Sequence, residues 1–176
     1  MKPHEHHRSE SPKKLKAAVI TASSSRFFKK IGGQPYTDES GEKAVTTLKN
    51  LGHQVEYLGV VNDDVWMIRS TVVKALEEGF DVVLVTGGTG VSPRDVTVEA
   101  IRPLIDKELD GWGEIFRLES YKRIGPAAAL SRTVAGVANG KLVIALPGSP
   151  DAVALALEIF GPELPHIVYI SRGKQA

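Results

Sequence analysis

Chemistry on a polyanion calls for backbone N–H groups that can approach closely, hydroxyls, and carboxylates able to share a cation with phosphate oxygens. One stretch offers all three: Thr86-Gly87-Gly88-Thr89-Gly90, followed after Val91 by Ser92-Pro93-Arg94-Asp95. The glycines would let amides reach an anion, Thr86 and Thr89 add hydroxyls, and Pro93 reads as a helix start whose positive end faces the same anion. The stretch is not a P-loop, since no Gly-Lys-Ser/Thr follows, and it lacks the third glycine of a dinucleotide fingerprint. Asp95, in the expected first turn, has two readings: a helix cap, or a Mg²⁺ ligand beside phosphates. Asp63, flanked by Asn62 and Asp64 after another apolar run, poses the same choice.

Other segments add donors. In Pro147-Gly148-Ser149-Pro150, two prolines fix the backbone, the glycine permits close approach and the serine offers a hydroxyl. Asp38, Ser40 and Gly41 stand where a helix should begin, and alone they read as a cap. Ser131-Arg132 precedes an apolar hairpin and could supply a cation, although a solvated arginine is the commoner fate. Ser23 belongs to a hydroxyl-rich run, Thr21 to Ser25, that ends in Arg26. Trp66 and Trp112 read as packing residues, and His53 and His166 have no evident partners. His4, His6 and His7 cluster without a fixed geometry for a metal.

The elements that must position these residues alternate along the chain. An apolar strand over 15–22 is followed by a long Gly/Pro loop over 27–39, then a helix over 41–51 closed by Gly52. A strand over 53–61 precedes a helix over 64–78, where Val65, Ile68, Val72 and Leu76 recur at helical spacing. The run over 80–86 is β-branched throughout its core and reads as a strand buried on both faces. Helix is expected over 93–102, broken at Pro103 and irregular through 116. Asn139-Gly140 between two apolar runs marks a hairpin over 133–146, because that pair supplies two positive φ angles. Helices over 151–160 and 162–170 complete a three-layer α/β/α sandwich with a mostly parallel sheet and one antiparallel strand. Residues 1–14 read as a disordered tail and 15–176 as one domain.

Bulk properties narrow the function. A formal net charge of +1 on 176 residues argues against binding nucleic acid by phosphate neutralisation. With no cysteine there is no disulfide, thiolate nucleophile or cysteine-held metal. No apolar run approaches the roughly 18–20 residues of a membrane span, and no signal-peptide pattern opens the chain, so a cytoplasmic protein is expected.

Taken together, Asp38-Glu39-Ser40-Gly41, Val61-Asn62-Asp63-Asp64, the block from Thr86 through Thr97, Leu130-Ser131-Arg132 with Gly136, and Pro147-Gly148-Ser149-Pro150 resemble the molybdopterin-binding family of molybdenum cofactor biosynthesis. The resemblance spans about 15–170 and is closest to its MogA/MoaB-type adenylyltransferases. Thr89 and Arg94-Asp95 favour that branch over the related insertase domains and the competence-damage proteins. It implies transfer of AMP from Mg·ATP to the terminal phosphate of molybdopterin, with pyrophosphate released. By the same resemblance Asp63 and Asp95 are the catalytic, Mg²⁺-binding carboxylates. Ser23, Asp38, Ser40, Gly41, Thr86, the Gly87–Gly90 backbone, Ser131, Arg132 and the Pro147–Pro150 loop would contact substrate. Family members form trimers or hexamers, so a homo-oligomer is expected, with a downstream metal-insertion protein as a further partner. Some members bind without adenylylating and lack the acidic residue matching Asp63, which this chain keeps. The first strand ends in Thr-Ala-Ser-Ser-Ser-Arg, where the family often has Ser-Asp. A molybdopterin carrier is therefore the alternative, and a nucleotide hydrolase a third reading.

Overall fold

The computed structural model describes residues 11–173. The first ten residues of the expected tail, with His4, His6 and His7, lie outside the described residues, and 11–14 form neither helix nor strand. In chain order the elements are β1 (Lys16–Ala22), α1 (Ser24–Ile31), α2 (Glu39–Asn50), β2 (Gln54–Val61), α3 (Val65–Glu77), β3 (Val82–Thr86) and α4 (Thr97–Ile101). Then follow β4 (Lys107–Glu108), α5 (Asp110–Ile124), β5 (Val134–Ala138), β6 (Lys141–Leu146), α6 (Pro150–Phe160) and α7 (Leu164–Ser171).

The six strands form one sheet in the order β2-β1-β3-β6-β5-β4. β2, β1, β3 and β6 are parallel, and β5 runs against both of its neighbours. The turn between β5 and β6 is the Asn-Gly turn expected, with φ of 48° at Asn139 and 72° at Gly140. Alternate residues of the central strands feed two cores. Ala17, Val19, Val82, Leu84, Leu142 and Ile144 pack with α2, α5, α6 and α7 on one face. Ala18, Ile20, Val83, Val85, Val143 and Ala145 pack with α3 and α4 on the other. Burial on both faces explains why β3 shows no polar alternation. The apolar stretch Pro150–Ser171 is long enough to cross a membrane, with a mean hydropathy of 1.4, but half of it is buried inside the fold as a core helix pair.

This topology brings the chemistry together. Four parallel strands deliver the loops after Ala22, Val61, Thr86 and Leu146 to one edge of the sheet. Because β5 is antiparallel, it is the segment before it, Ser131 to Thr133, that reaches the same edge.

Five expectations need correction. The loop expected over 27–39 begins inside α1, which Ser23 caps by accepting from the Arg26 N–H. Phe28 and Ile31 remain exposed and no residue of α1 is buried, so capping and basic residues in the last turn form this helix without core contacts. The helix expected over 93–102 begins only at Thr97. Before it, the Asp95 carboxylate accepts from the Ser92 N–H at 2.8 Å and the Thr97 N–H binds the Gly88 carbonyl at 3.0 Å, so the chain closes a loop instead of a helical turn. Within the irregular stretch, Lys107 and Glu108 add a short edge strand on β5, and the following helix runs on to Ile124. Trp66 is 73% exposed under the Arg69 guanidinium rather than packed, whereas Trp112 is buried against Phe160. His53 has a partner after all: its Nδ1 accepts the Leu15 N–H.

Candidate functional site

A cleft of about 470 Å³ opens where these loops converge. Gly87 to Gly90 and Asp95 come from the β3 exit, Asp63 from the β2 exit, Ser23 and Arg26 from the β1 exit. Pro147, Gly148 and Ser149 enter from the β6 exit, and Leu130 and Ser131 from the approach to β5.

The glycine loop is shaped by its neighbours before any ligand is considered. Gly87 has φ of 95°, and a Cβ there would come 2.2 Å from the Ala22 carbonyl oxygen. Gly88 has φ of 66°, and its Cβ would come 2.4 Å from Thr97 Oγ1, which itself donates to the Gly87 carbonyl. The Gly87 N–H is bound to the Leu146 carbonyl at 2.9 Å and is not available to an anion. Among the described residues, the N–H groups of Gly88, Thr89 and Gly90 have no acceptor. A row of unpaired amides in a positive-φ turn is an anion cradle. The neighbouring helix start at the cleft belongs to α6: Ser149 caps it by accepting from the Ala152 N–H at 3.2 Å. Gly148 stacks on the glycine loop, its absent Cβ leaving 3.2 Å to the Gly87 Cα.

Both carboxylates line the cleft, and each is held through one oxygen. Asp63 Oδ2 accepts from the Ser24 N–H at 2.7 Å and its hydroxyl at 2.8 Å. Asp95 Oδ2 accepts from Ser92. Their Oδ1 atoms accept no hydrogen bond from the described residues. The cap after Val61 is made by Asp64, whose Oδ1 accepts from the Met67 N–H, which leaves Asp63 for other work.

Several of the expected substrate contacts stand elsewhere. Thr86 is buried, and its hydroxyl ties β3 to the Pro147 carbonyl at 2.9 Å. Pro150 opens α6 without lining the cleft. Asp38, Ser40 and Gly41 are buried behind it. Asp38 caps α2 through the Gly41 N–H and also accepts from Thr21, Ser40 and Tyr57. Burial and the hydrogen bond to Asp38 push the Tyr57 phenol above its ordinary range. Arg132 is no free cation. Its guanidinium donates to the Gly90 carbonyl at 2.7 Å and the Asp95 carbonyl at 2.9 Å, and it forks onto Glu99. Its own N–H binds the Thr89 carbonyl. The arginine thus clamps the loop that carries Asp95. The bond to Arg132 holds the Glu99 carboxyl below its ordinary value, and the same bond raises Arg132.

Arg26 and Ser24 are singled out only by the structure: in the sequence Ser24 is one of a hydroxyl-rich run, and Arg26 opens a basic segment, Arg26 to Lys30, that could attract anions but reads by default as a solvated loop. Arg26 lines the cleft with its Nε on the Thr37 carbonyl and 4.0 Å from Asp38, so it is oriented yet one-third exposed. The only local signal was a basic residue beside a run of serines.

The chain matches the model of a probable molybdopterin binding domain over residues 18–166. It is 42% identical to molybdenum cofactor biosynthesis protein B of Staphylococcus aureus, strain MRSA252, over 94% of this chain and 96% of that protein. The crystal structure of a tungsten cofactor synthesizing protein MoaB from Pyrococcus furiosus superposes with a TM-score of 0.81 at 39% identity, covering 92% of this chain and 99% of that one. A further crystal structure of molybdenum cofactor biosynthesis protein B gives a TM-score of 0.82 at 38% identity, covering 94% and 100%. With the fold and nearly the whole length in common, the chain belongs to the molybdopterin-binding family of molybdenum cofactor biosynthesis proteins.

Proposed function

We propose that this protein transfers AMP from ATP to the terminal phosphate of molybdopterin. An oxygen of the molybdopterin phosphate attacks the α-phosphorus of ATP, a new P–O bond forms, the α–β bridging P–O bond breaks, and pyrophosphate leaves with the bond's electron pair. The observation that supports this most directly is the pairing of unsatisfied groups in one cleft: the free amides of Gly88, Thr89 and Gly90 beside the open oxygens of Asp63 and Asp95. Transfer between phosphates asks for positioning and charge neutralisation, not for a protein nucleophile. The loop amides and the α6 start would hold the phosphates, and Arg26 would offset their charge.

Mg²⁺ fits these residues. Two carboxylates with one uncommitted oxygen apiece, and no cluster of three or more acidic or histidine ligands among the described residues, suit an ion that takes most of its ligands from phosphate and water. When bound by Asp63 and Asp95, Mg²⁺ would supply neutralisation of charge on the phosphate oxygens.

A carrier without adenylylation is the second reading, favoured by the two bonds that tie Asp63 to Ser24 as a structural group would be tied. Purified protein with molybdopterin, ATP and Mg²⁺, followed for pyrophosphate, separates the two. Release dependent on molybdopterin is expected. Binding without release establishes the carrier, and ATP hydrolysis without molybdopterin establishes a hydrolase. We also propose a homotrimer or homohexamer in the cytoplasm, handing its product to a metal-insertion protein. The exposed apolar stripe Ile115, Leu118, Tyr121 and Ile124 on α5 supports self-association. Sedimentation as a monomer at micromolar concentration would overturn that part.

A further inference from the structure

Ser24 stands at the first position of α1 and does not line the cleft, yet it holds a group that does. We infer that Ser24 is a positioning residue for the phosphate chemistry: by pinning one oxygen of Asp63 it aims the other at the glycine loop. The inference rests on the adenylylation reading for the role of Asp63.

The two oxygens of Asp63 have different surroundings. Oδ2 accepts twice from one residue, from the Ser24 N–H at 2.7 Å and from the Ser24 hydroxyl at 2.8 Å. Hydrogen bonds to a carboxylate are short and strong, and two of them from one helix start fix both its position and its tilt. The Asp63 N–H points back to the same hydroxyl at 3.4 Å, which closes the pair from the other side. Oδ1 then faces Gly88, where a Cβ would stand 3.4 Å from it, and Gly88 begins the row of unpaired amides. A carboxylate oxygen beside an anion cradle is in place for an ion shared with phosphate oxygens.

The segment around Asp63 does not set this orientation. An aspartate just before a helix commonly turns back to cap it. Before α3 that bond is made by Asp64 with the Met67 N–H. Among the described residues, the donors to the Asp63 carboxylate both belong to Ser24, 39 positions earlier.

Ser24 is equally free of other duties. The N-cap of α1 is Ser23, which accepts from the Arg26 N–H. The Ser24 N–H is one of the first-turn amides that a helix cannot satisfy internally, and Asp63 satisfies it at the positive end of α1. The Ser23 N–H binds the Val61 carbonyl at 3.0 Å, so α1, which buries no residue, is registered against the β2 exit at its start.

Measuring nucleotide binding with and without metal separates aim from contact. α,β-Methylene-ATP, which cannot break at the bond that the proposed transfer breaks, is titrated by calorimetry into the full chain with Mg²⁺ and with EDTA. Ser24→Ala should weaken binding at least about fivefold with Mg²⁺ and leave it within about twofold in EDTA. Ser24→Thr keeps the hydroxyl and should recover binding to within about twofold of the parent. On an Asp63→Asn background, Ser24→Ala should change binding by less than about twofold, since it acts through that carboxylate. In the pyrophosphate assay, Ser24→Ala should lower kcat about tenfold with KM for molybdopterin within about twofold. The Ser23 cap and the core are untouched in these variants, so parent-like melting temperatures are expected. Parent-like binding by Ser24→Ala with Mg²⁺, an equal loss in EDTA, or a loss that persists on the Asp63→Asn background overturns the assignment. Parent binding that is indifferent to Mg²⁺ overturns it too. Should the parent release no pyrophosphate, adenylylation fails, and the Mg²⁺-dependent part of binding still decides Ser24.

Discussion

Two sets of carboxylates stand at the same edge of the sheet and lead opposite lives. Asp38 is 5% exposed, and its two oxygens accept from Thr21, Ser40, Gly41 and Tyr57. Asp63 and Asp95 each commit one oxygen to the chain and keep the other at an open cleft. All three sit beside an N–H in an exit loop, so local sequence treats them alike. What separates them is saturation: a carboxylate whose lone pairs are filled by protein donors positions the fold, and one left half-filled can take a ligand.

That contrast can be broken by substitution. Asp63→Asn and Asp95→Asn should lower turnover by at least about a hundredfold each while leaving the melting temperature nearly unchanged, as expected for groups that act on the reacting phosphates. Parent-like turnover in either variant would remove that carboxylate from the mechanism. Asp38→Ala should behave in reverse. It strands the Thr21, Tyr57 and Gly41 donors and should cost about 2–3 kcal/mol in urea-denaturation stability. An equally stable Asp38→Ala would show that the saturated hub is dispensable.

Arg132 lies between the two behaviours, since it touches the loop but not the cleft. Arg132→Lys keeps the charge but cannot fork across the Gly90 and Asp95 carbonyls and Glu99 together. It should lower kcat about tenfold with little change in KM for ATP, since it loosens Asp95 and not a substrate contact. A change confined to KM would make Arg132 a substrate contact instead. The clamp should also survive mild acid. Glu99 is held below its ordinary value by Arg132, so its contribution is complete above the usual glutamate range and is lost only as pH falls through the lower native value.

The smallest effect concerns His53. Burial lowers its pKa below the ordinary 6.5, against a weaker opposing pull from Asp81. Its Nδ1 must stay unprotonated to accept from Leu15. The folded state therefore binds fewer protons than the unfolded one below pH 6.5, and stability should decline from there down to the native pKa. Melting curves between pH 5 and 8 should show this decline in the parent and a flatter profile in His53→Gln.

Most of the sheet was legible in the chain because its signals are local. The β-branched run of β3, the helical spacing of Val65, Ile68, Val72 and Leu76, and Asn139-Gly140 each encode an element within a few residues. Two of the misreadings fell where long-range contacts compete with local propensity. The Pro93 segment looked like a helix start, but a Gly88–Thr97 bond and the Arg132 clamp hold it as a loop. The edge strand Lys107–Glu108 exists only because β5 lies beside it.

By itself, the sequence determined the central strands and most of the helices, their alternating order and the residue types gathered at the strand ends, because periodicity, turn residues and caps act between near neighbours. Tertiary structure alone decided which hydroxyls, arginines and carboxylates remain available. Thr86 and Arg132 are used up by carbonyls that follow β6 and belong to the glycine loop, while the buried Ser131 hydroxyl is left without a partner among the described residues. Availability is a property of the completed hydrogen-bond network, and that network closes only when the sheet does.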